Sequence, residues 1–309
     1  TRIRLGSGAV QMGHRTALSA VEEFGLLDAL HPGRIDLGLG RSGGRPPAAP
    51  PAGLSESRTV NGLLIPPRFS FTGLIGSPRF ALQRTLLQQP QAQAPDYTDQ
   101  VDDVLALLNG TYHGDDGTEA HTVPGEQAAV QVWVLGSSGG ESATVAGRRG
   151  LRFAANYHVS PATVLEAVEG YRAAFRPSAE LAAPYVAVSA DVVVADDAAQ
   201  ARELAAGYGP WVRSIRSGEG AIPFPAPAEA RALPWTAQDD ALARDRIDTQ
   251  FVGTPARVAD QLETLRDATG ADELVITTIT HDHADRVRSY ELLAGEWQRR
   301  ATVSTGVAS

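Results

Sequence analysis

The sequence contains no cysteine. That excludes disulfides, thiolate-bound metals and a cysteine nucleophile. It has no apolar run long enough to span a bilayer. It has no basic cluster either: 36 acidic against 27 basic residues leave a formal net charge of −9, which argues against a nucleic-acid surface. Aromatic residues make up only 6% and there is one methionine, Met12, so the core must come from aliphatic side chains within a 43% hydrophobic composition. No signal peptide is visible, and the expected location is the cytoplasm. The chain starts at Thr1 and opens directly on a strand, from which a missing preceding piece is expected. Its 309 residues suffice for one large α/β domain or two small ones, and a single domain over 1–309 is expected.

What the sequence does have is a regular alternation of strand and helix signals. His31 to Gly44 (HPGRIDLGLGRSGG) reads as a turn, a buried strand from Arg34 to Leu39, and a glycine-rich mouth carrying Arg41. An arginine in such a mouth can grip a phosphate or an anionic ring system; the same residues also fit a plain flexible loop. Arg2 to Gly8 (RIRLGSG) is a strand feeding a tight turn, and Thr16 to Leu30 is a helix expected to bury Leu18, Val21, Phe24 and Leu27. Together these form a βαβ unit with parallel strands.

Residues 45–98 interrupt the rhythm with nine prolines between Pro46 and Pro95. A connection this long is either functional or disordered, so the segment reads as an insertion over the strand ends, a lid or an unstructured excursion. Tyr97 to Leu108 is helical, with Val101, Val104, Leu105 and Leu108 inward and Asn109-Gly110 as its stop. The loop 111–127 carries His113, Asp115, Asp116, Glu119 and His121, but their spacing matches no metal-ligand pattern.

Ala129 to Leu135 is a buried strand. It runs into Gly136-Ser137-Ser138-Gly139-Gly140-Glu141-Ser142 and a helix from Ala143 to Arg149. Strand, Gly/Ser turn and helix N-terminus together make an anion site, because free N–H groups and the positive end of the helix dipole converge there. The motif is neither a Walker loop nor G-x-G-x-x-G; a helix capped by Ser138 or Ser142 is the plainer reading. Strands follow at Leu151 to Tyr157 and Tyr185 to Ala195, with helices at Ala162 to Phe175 and Ala198 to Tyr208. A second proline-rich connector spans 209–235. A helix then covers Asp239 to Thr249, and another follows with Thr254 as N-cap and Pro255 at its first position. Asp272 to Thr280 is the last buried strand, followed by a helix over Ala284 to Arg299. His281-Asp282-His283 stands at the strand's carboxyl end, and no third metal ligand accompanies it. No metal is expected.

Six strand–helix repeats imply a doubly wound sheet or a (β/α)8 barrel. The polar signals follow nearly every strand, as around a barrel mouth, rather than one switch point. The expectation is an α/β fold of the TIM (β/α)8 type, incomplete, with six βα units.

Six segments carry a resemblance: RIRLGSG, ALHPGRIDLGLGRSGG (29–44), VWVLGSSGGES (132–142), GLRFAANYH (150–158), GTPARVA (253–259) and ADELVITTITHDH (271–283). In this order and spacing the chain resembles the bacterial luciferase-like flavin monooxygenases over most of its length, the two proline-rich stretches excepted. The resemblance implies a TIM barrel that uses reduced FMN, or in a related branch F420, and often dimerises. It aligns Thr1 with the third barrel strand, so the first two βα units are absent and either a fragment or a truncated member with an open edge is expected. It also implies cofactor contacts for Ser7, Gly8, Gly40, Arg41, Ser137, Ser138, Gly139, Gly140, Glu141, Ser142 and Asn156. Arg41 and the 138–142 turn would meet the flavin phosphate, and Ser7-Gly8 lies near a non-proline cis peptide under the flavin ring. Gly40 stands where the luciferases have a reactive cysteine, so light emission is not carried over. His158 and His281 are the candidate catalytic residues, without an assigned proton role.

The function implied is an oxidoreductase or monooxygenase that turns reduced FMN and O2 on a small organic substrate. It would be served by a flavin reductase or another reduced-flavin supply and would form a homodimer, with neither nucleic acid nor membrane as partner. An F420-dependent oxidoreductase, a non-catalytic flavin-binding protein and a metal-dependent hydrolase using His281 and His283 are the alternatives.

Overall fold

The computed structural model describes residues 2–41, 56–70, 77–88, 92–93 and 95–306. In chain order the elements are β1 (Leu5–Gly6), β2 (Val10–Gln11), α1 (Ala17–Leu30), β3 (Ile35–Gly40), β4 (Arg58–Val60), β5 (Leu63–Ile65), α2 (Pro78–Leu87), α3 (Tyr97–Asn109), β6 (Gln131–Gly136), α4 (Glu141–Arg148), β7 (Arg152–Asn156), α5 (Val164–Ala174), β8 (Val186–Val194), α6 (Ala198–Leu204), α7 (Tyr208–Arg216), α8 (Pro227–Ala232), α9 (Ala237–Thr249), β9 (Phe251–Gly253), α10 (Pro255–Thr269), β10 (Glu273–Thr277) and α11 (His283–Gly306). The chain forms two compact units. The first comprises Thr1–Pro51, Arg84–Ala155 and Glu166–Val186; the second comprises Ala52–Gln83, Asn156–Leu165 and Ala187–Ser309.

In the first unit β1, β3, β6 and β7 form a parallel sheet in that order, with β2 on the same edge of β3 as β1. The single strand expected over Arg2 to Gly8 is two short pieces. The chain leaves the ladder at Ser7, and the Gly8–Ala9 peptide is cis. The Ser7 side chain bridges the gap: its hydroxyl donates to the Gly38 carbonyl (3.0 Å) and accepts from the Gly38 N–H (2.9 Å). A Cβ on Gly38 would lie 2.0 Å from the Ser7 carbonyl oxygen, so that position admits only glycine.

Helix α1 starts where expected, with the Thr16 hydroxyl accepting from the Ser19 N–H. Its buried face differs. Ala20, Val21, Phe24, Gly25 and Asp28 are buried, whereas Leu18 and Leu27 are 46% and 41% exposed. The inward stripe is set by packing against α3 and by Gly25, where a Cβ would sit 2.3 Å from the Gly125 Cα; small residues win that face over leucines because backbones meet there. Asp28 is buried because it accepts from the Gly33 and Ala129 N–H groups, both at 2.8 Å. On α3 the inward residues are Val101, Val104, Leu107 and Leu108, with Leu107 taking the place expected for Leu105, and Gly110 closes the helix at φ 67°.

In the second unit β8 pairs in parallel with β10 along Ala187 to Asp191 and with β9 along Val192 to Val194. β9 is only three residues long and left no periodic signal. β10 was expected to be buried, but Val275 is 43% exposed: among the described residues only β8 pairs with it. Part of the insertion 45–98 is ordered. β4 and β5 form a hairpin whose turn residues Asn61 and Gly62 have φ of 50° and 83°, and its Leu63 and Ile65 are buried. The expectations for Ser42, Gly43 and Gly44 lie outside the described residues. The connector 209–235 is not a loop: it holds most of α7 and all of α8. Pro210 is harmless there because it sits in a helix first turn, where no N–H partner is lost.

Candidate functional site

The first unit gathers most of the expected cofactor residues. α4 begins at Glu141, two residues earlier than expected, and its N-cap is Gly140, with no side-chain cap. Neither Ser138 nor Ser142 caps it. The first N–H groups of the helix therefore keep their donor capacity for a ligand. A Cβ on Gly140 would meet only the Ser138 Oγ, at 3.4 Å, whereas one on Gly139 would lie 2.7 Å from the Glu166 carbonyl. Gly139 is thus a packing glycine and Gly140 leaves an open cradle.

Arg41 leaves the carboxyl end of β3 and reaches this helix start. Its Nη1 donates to the Glu141 Oε2 at 2.8 Å, with both side chains about a third exposed. Tyr97, which carried no functional signal in the sequence, lies alongside; it is buried, and its hydroxyl donates to the Leu39 carbonyl at 3.2 Å. Burial chiefly, and then Glu141, raises the phenol far above its ordinary value, while Arg41 and the Ser142 hydroxyl oppose the shift. Tyr97 therefore stays a protonated donor.

Ser7 and Gly8 stand at the cis Gly8–Ala9 peptide. Beside a Cβ on Gly8 there would be nothing nearer than the Leu135 Cδ2 at 3.9 Å, so this position too faces open space. Gly40 is tighter, with the Ala9 Cβ 3.1 Å from its own would-be Cβ. The Arg41 guanidinium, the uncapped start of α4 and the open backbone at Gly140 together have the donor chemistry for an anionic group such as a phosphate.

Asn156, His158 and His281 belong to the second unit. The Asn156 Oδ1 accepts from the Ser160 N–H at 3.0 Å, which fastens the turn after β7. His281 Nδ1 donates to the Phe224 carbonyl, 2.9 Å away; a carbonyl only accepts, so Nδ1 carries the proton. His283 is the first residue of α11 and meets the Arg286 guanidinium through Nδ1 at 2.7 Å. Each of these contacts is made through Nδ1. Among the described residues no three His, Asp or Glu side chains are grouped as metal ligands.

His158 has a richer setting. Its Nδ1 lies 2.6 Å from the Ser189 Oγ. Two residues further along β8, the buried Asp191 accepts from the Tyr208 hydroxyl, the Thr277 hydroxyl and the Arg246 Nη2 (3.1 Å). Burial pushes the His158 imidazole below its ordinary value; Asp191 opposes that shift and Arg246 adds to it. This cluster was missed. Its signal was present in YVAVSADVVVA (185–195), where Ser189 and Asp191 interrupt an otherwise apolar strand.

Comparison with known proteins agrees with the fold. The luciferase-like monooxygenase family model matches residues 1–61 and 76–273. The uncharacterized protein YvbT of Bacillus subtilis (strain 168) is 31% identical over 300 residues, covering 97% of this chain and 78% of that protein. The crystal structure of apo-MsnO8 superposes with a TM-score of 0.73 at 30% identity, covering 96% of this chain and 78% of that one. Two more distant structures share the fold. One is the oxygenating constituent of 3,6-diketocamphane monooxygenase from Pseudomonas putida in complex with FMN (TM-score 0.57, 17% identity, 96% and 79% coverage). The other is an F420-dependent secondary alcohol dehydrogenase in complex with an F420-acetone adduct (TM-score 0.51, 13% identity, 90% and 74% coverage). No helix of the described residues is long and apolar enough to cross a membrane. The parallel strand–helix alternation is of the TIM-barrel type, and the chain belongs to the luciferase-like monooxygenase family.

Proposed function

We propose that this chain binds reduced FMN and uses it with O2 to oxidise a small organic substrate. The observation that carries the reading is the Arg41 guanidinium beside the uncapped start of α4. The guanidinium and the helix N–H groups would hold the phosphate, Gly140 giving it backbone access. Gly8, with no side chain in the way, would let the ring system lie against the backbone near β2. Tyr97, kept protonated by burial, anchors the end of β3 from which Arg41 projects. FMN supplies the electrons and the oxygen chemistry; the protein binds it, orients the substrate and keeps water out. A reductase or another source of reduced flavin would be the working partner, and a homodimer the working assembly.

The family also contains F420 users, and F420 carries a phosphate on its own tail, so the Arg41 end accommodates either. A fluorescence titration of the protein with FMN and with F420 separates them. Saturable FMN binding with no F420 response is the expected result; binding of neither would remove the reading.

A further inference from the structure

Polar side chains inside an apolar strand need partners or a purpose. β8 carries two on one face, because residues two apart share a face of a strand. Asp191 is fully engaged. Its Oδ2 accepts from the Tyr208 hydroxyl and the Arg246 Nη2, and its Oδ1 accepts from the Thr277 hydroxyl. The Tyr208 hydroxyl in turn accepts from the Arg246 Nε (3.1 Å) and Nη2 (2.8 Å). This joins β8, α7, α9 and the end of β10 into one buried network. Ser189, the other polar residue, takes the His158 Nδ1 at 2.6 Å. His158 is half-buried, and its Nε2 makes no hydrogen bond among the described residues. One ring nitrogen is thus held and the other is open.

We propose that His158 is an acid–base residue of the second unit, working through Nε2 on a substrate that carries a weakly acidic proton. The Ser189 hydroxyl holds the ring, and the Asp191–Arg246 ion pair sets its readiness to take a proton. With Nδ1–H donating to Ser189, the lone pair on Nε2 takes the proton of a substrate X–H group. The X atom keeps the bonding electron pair, and the imidazolium later returns the proton to product or water. No electron moves in this step, and the oxidation remains with the reaction proposed above, on which this inference rests for the identity of the chemistry. The charged and titratable groups around the imidazole are Asp191 of β8 and Arg246 of α9, with Tyr208 of α7 bonded to both. Asp191 and Tyr208 act through position, not by touching substrate. Burial is the largest influence on the imidazole and lowers its affinity for the proton, with Asp191 opposing that shift and Arg246 adding to it, which is the setting of a base held neutral near pH 7.

The test uses the cofactor-free chain, so it stands or falls apart from flavin binding. The probes are proton titration of His158 by nitrogen-15 NMR and the rate of carbethoxylation of His158 by diethyl pyrocarbonate, read by peptide mass spectrometry. The expected wild-type result is a titration midpoint below that of an exposed histidine, with Nε2 reactive to the reagent. Asp191→Asn leaves Arg246 facing the ring and moves the midpoint further down. Arg246→Met leaves Asp191 facing it and moves the midpoint up. Ser189→Ala releases Nδ1 and changes the tautomer ratio with little movement of the midpoint. If Arg246→Met does not fold, Arg246→Lys, which keeps the charge, must leave the midpoint close to wild type while Asp191→Asn lowers it. A His158 that resists the reagent, or a midpoint that moves the same way in the Asp191 and Arg246 variants, overturns the proposal.

Discussion

Arg41 Nη1 and Glu141 Oε2 meet at 2.8 Å across 100 residues of sequence, joining the end of β3 to the first residue of α4. The contact puts a cation beside the positive end of a helix dipole, a combination that costs energy unless an anion is near. Glu141 supplies that anion in the cofactor-free chain, and a phosphate would compete for the same guanidinium.

Removing the cation should therefore weaken FMN selectively. Arg41→Ala should lower FMN affinity roughly 10- to 100-fold, the worth of a hydrogen bond to a charged group. Its affinity for riboflavin, which lacks the phosphate, should not change. Calorimetric titration with both ligands measures this, and an equal loss for both would show that Arg41 does not meet the phosphate.

Two glycines should respond in opposite directions. Gly25→Ala forces a Cβ to within 2.3 Å of the Gly125 Cα in the packed region beside α1, and should destabilise by about 1–3 kcal/mol or more. Gly295 lies on the exposed side of α11, with nothing within 4 Å of its would-be Cβ, so Gly295→Ala should stabilise by about 1 kcal/mol through helix propensity. Urea denaturation midpoints compare the two directly.

Tyr171 is fully buried. Its hydroxyl donates to the Leu151 carbonyl at 2.8 Å and accepts from the Tyr185 N–H at 3.1 Å, and its ring stacks on Phe153 at 5.1 Å. Tyr171→Phe keeps the stacking but removes the hydroxyl's bonds to the buried Leu151 carbonyl and the part-buried Tyr185 N–H, at a cost of about 1–3 kcal/mol. A thermal midpoint unchanged from wild type would contradict this.

Stability should fall in mild acid through His158. The native imidazole resists protonation because burial lowers its affinity for the proton. The unfolded chain takes a proton at the ordinary histidine value of about 6.5. Below that pH the unfolded state binds more protons than the native state, so the contribution is present above it and is lost as pH drops. His158→Gln should flatten the stability–pH curve in that range, as chemical denaturation at stepped pH would register.

The glycine-rich segment 136–142 shows how far local chemistry can be read. A strand, a tight turn and a helix start followed from the Gly and Ser residues there, with an anion site and a serine-capped helix both compatible with them. The capping residue did not, because Ser138 and Ser142 are both competent caps by composition and only the path of the backbone placed Gly140 at that position. In α1 the periodic leucines pointed to an inward stripe. The face chosen was the one whose small residues let the helix approach its neighbours, which is a property of the neighbours.

The opposite lesson comes from β8. Ser189 and Asp191 were visible in an alternating apolar strand, but their partners lie at 158, 208, 246 and 277. No local pattern joins positions so far apart, and only the folded chain supplies the desolvation that makes their charges interact strongly. The same holds for 209–235, where prolines suggested a connector and tertiary packing of Tyr208 and Val212 against Ala243 made a helix instead.

The sequence by itself determined the absence of thiol chemistry, the parallel strand–helix alternation and the family, because hydrophobic period, turn residues and motif order are local and need no partner. Tertiary structure alone decided that Arg41 meets Glu141, that Gly140 leaves the helix start open, and that His158 stands neutral beside an ion pair. Those depend on distance and burial, which arise only when segments far apart in the chain are brought together.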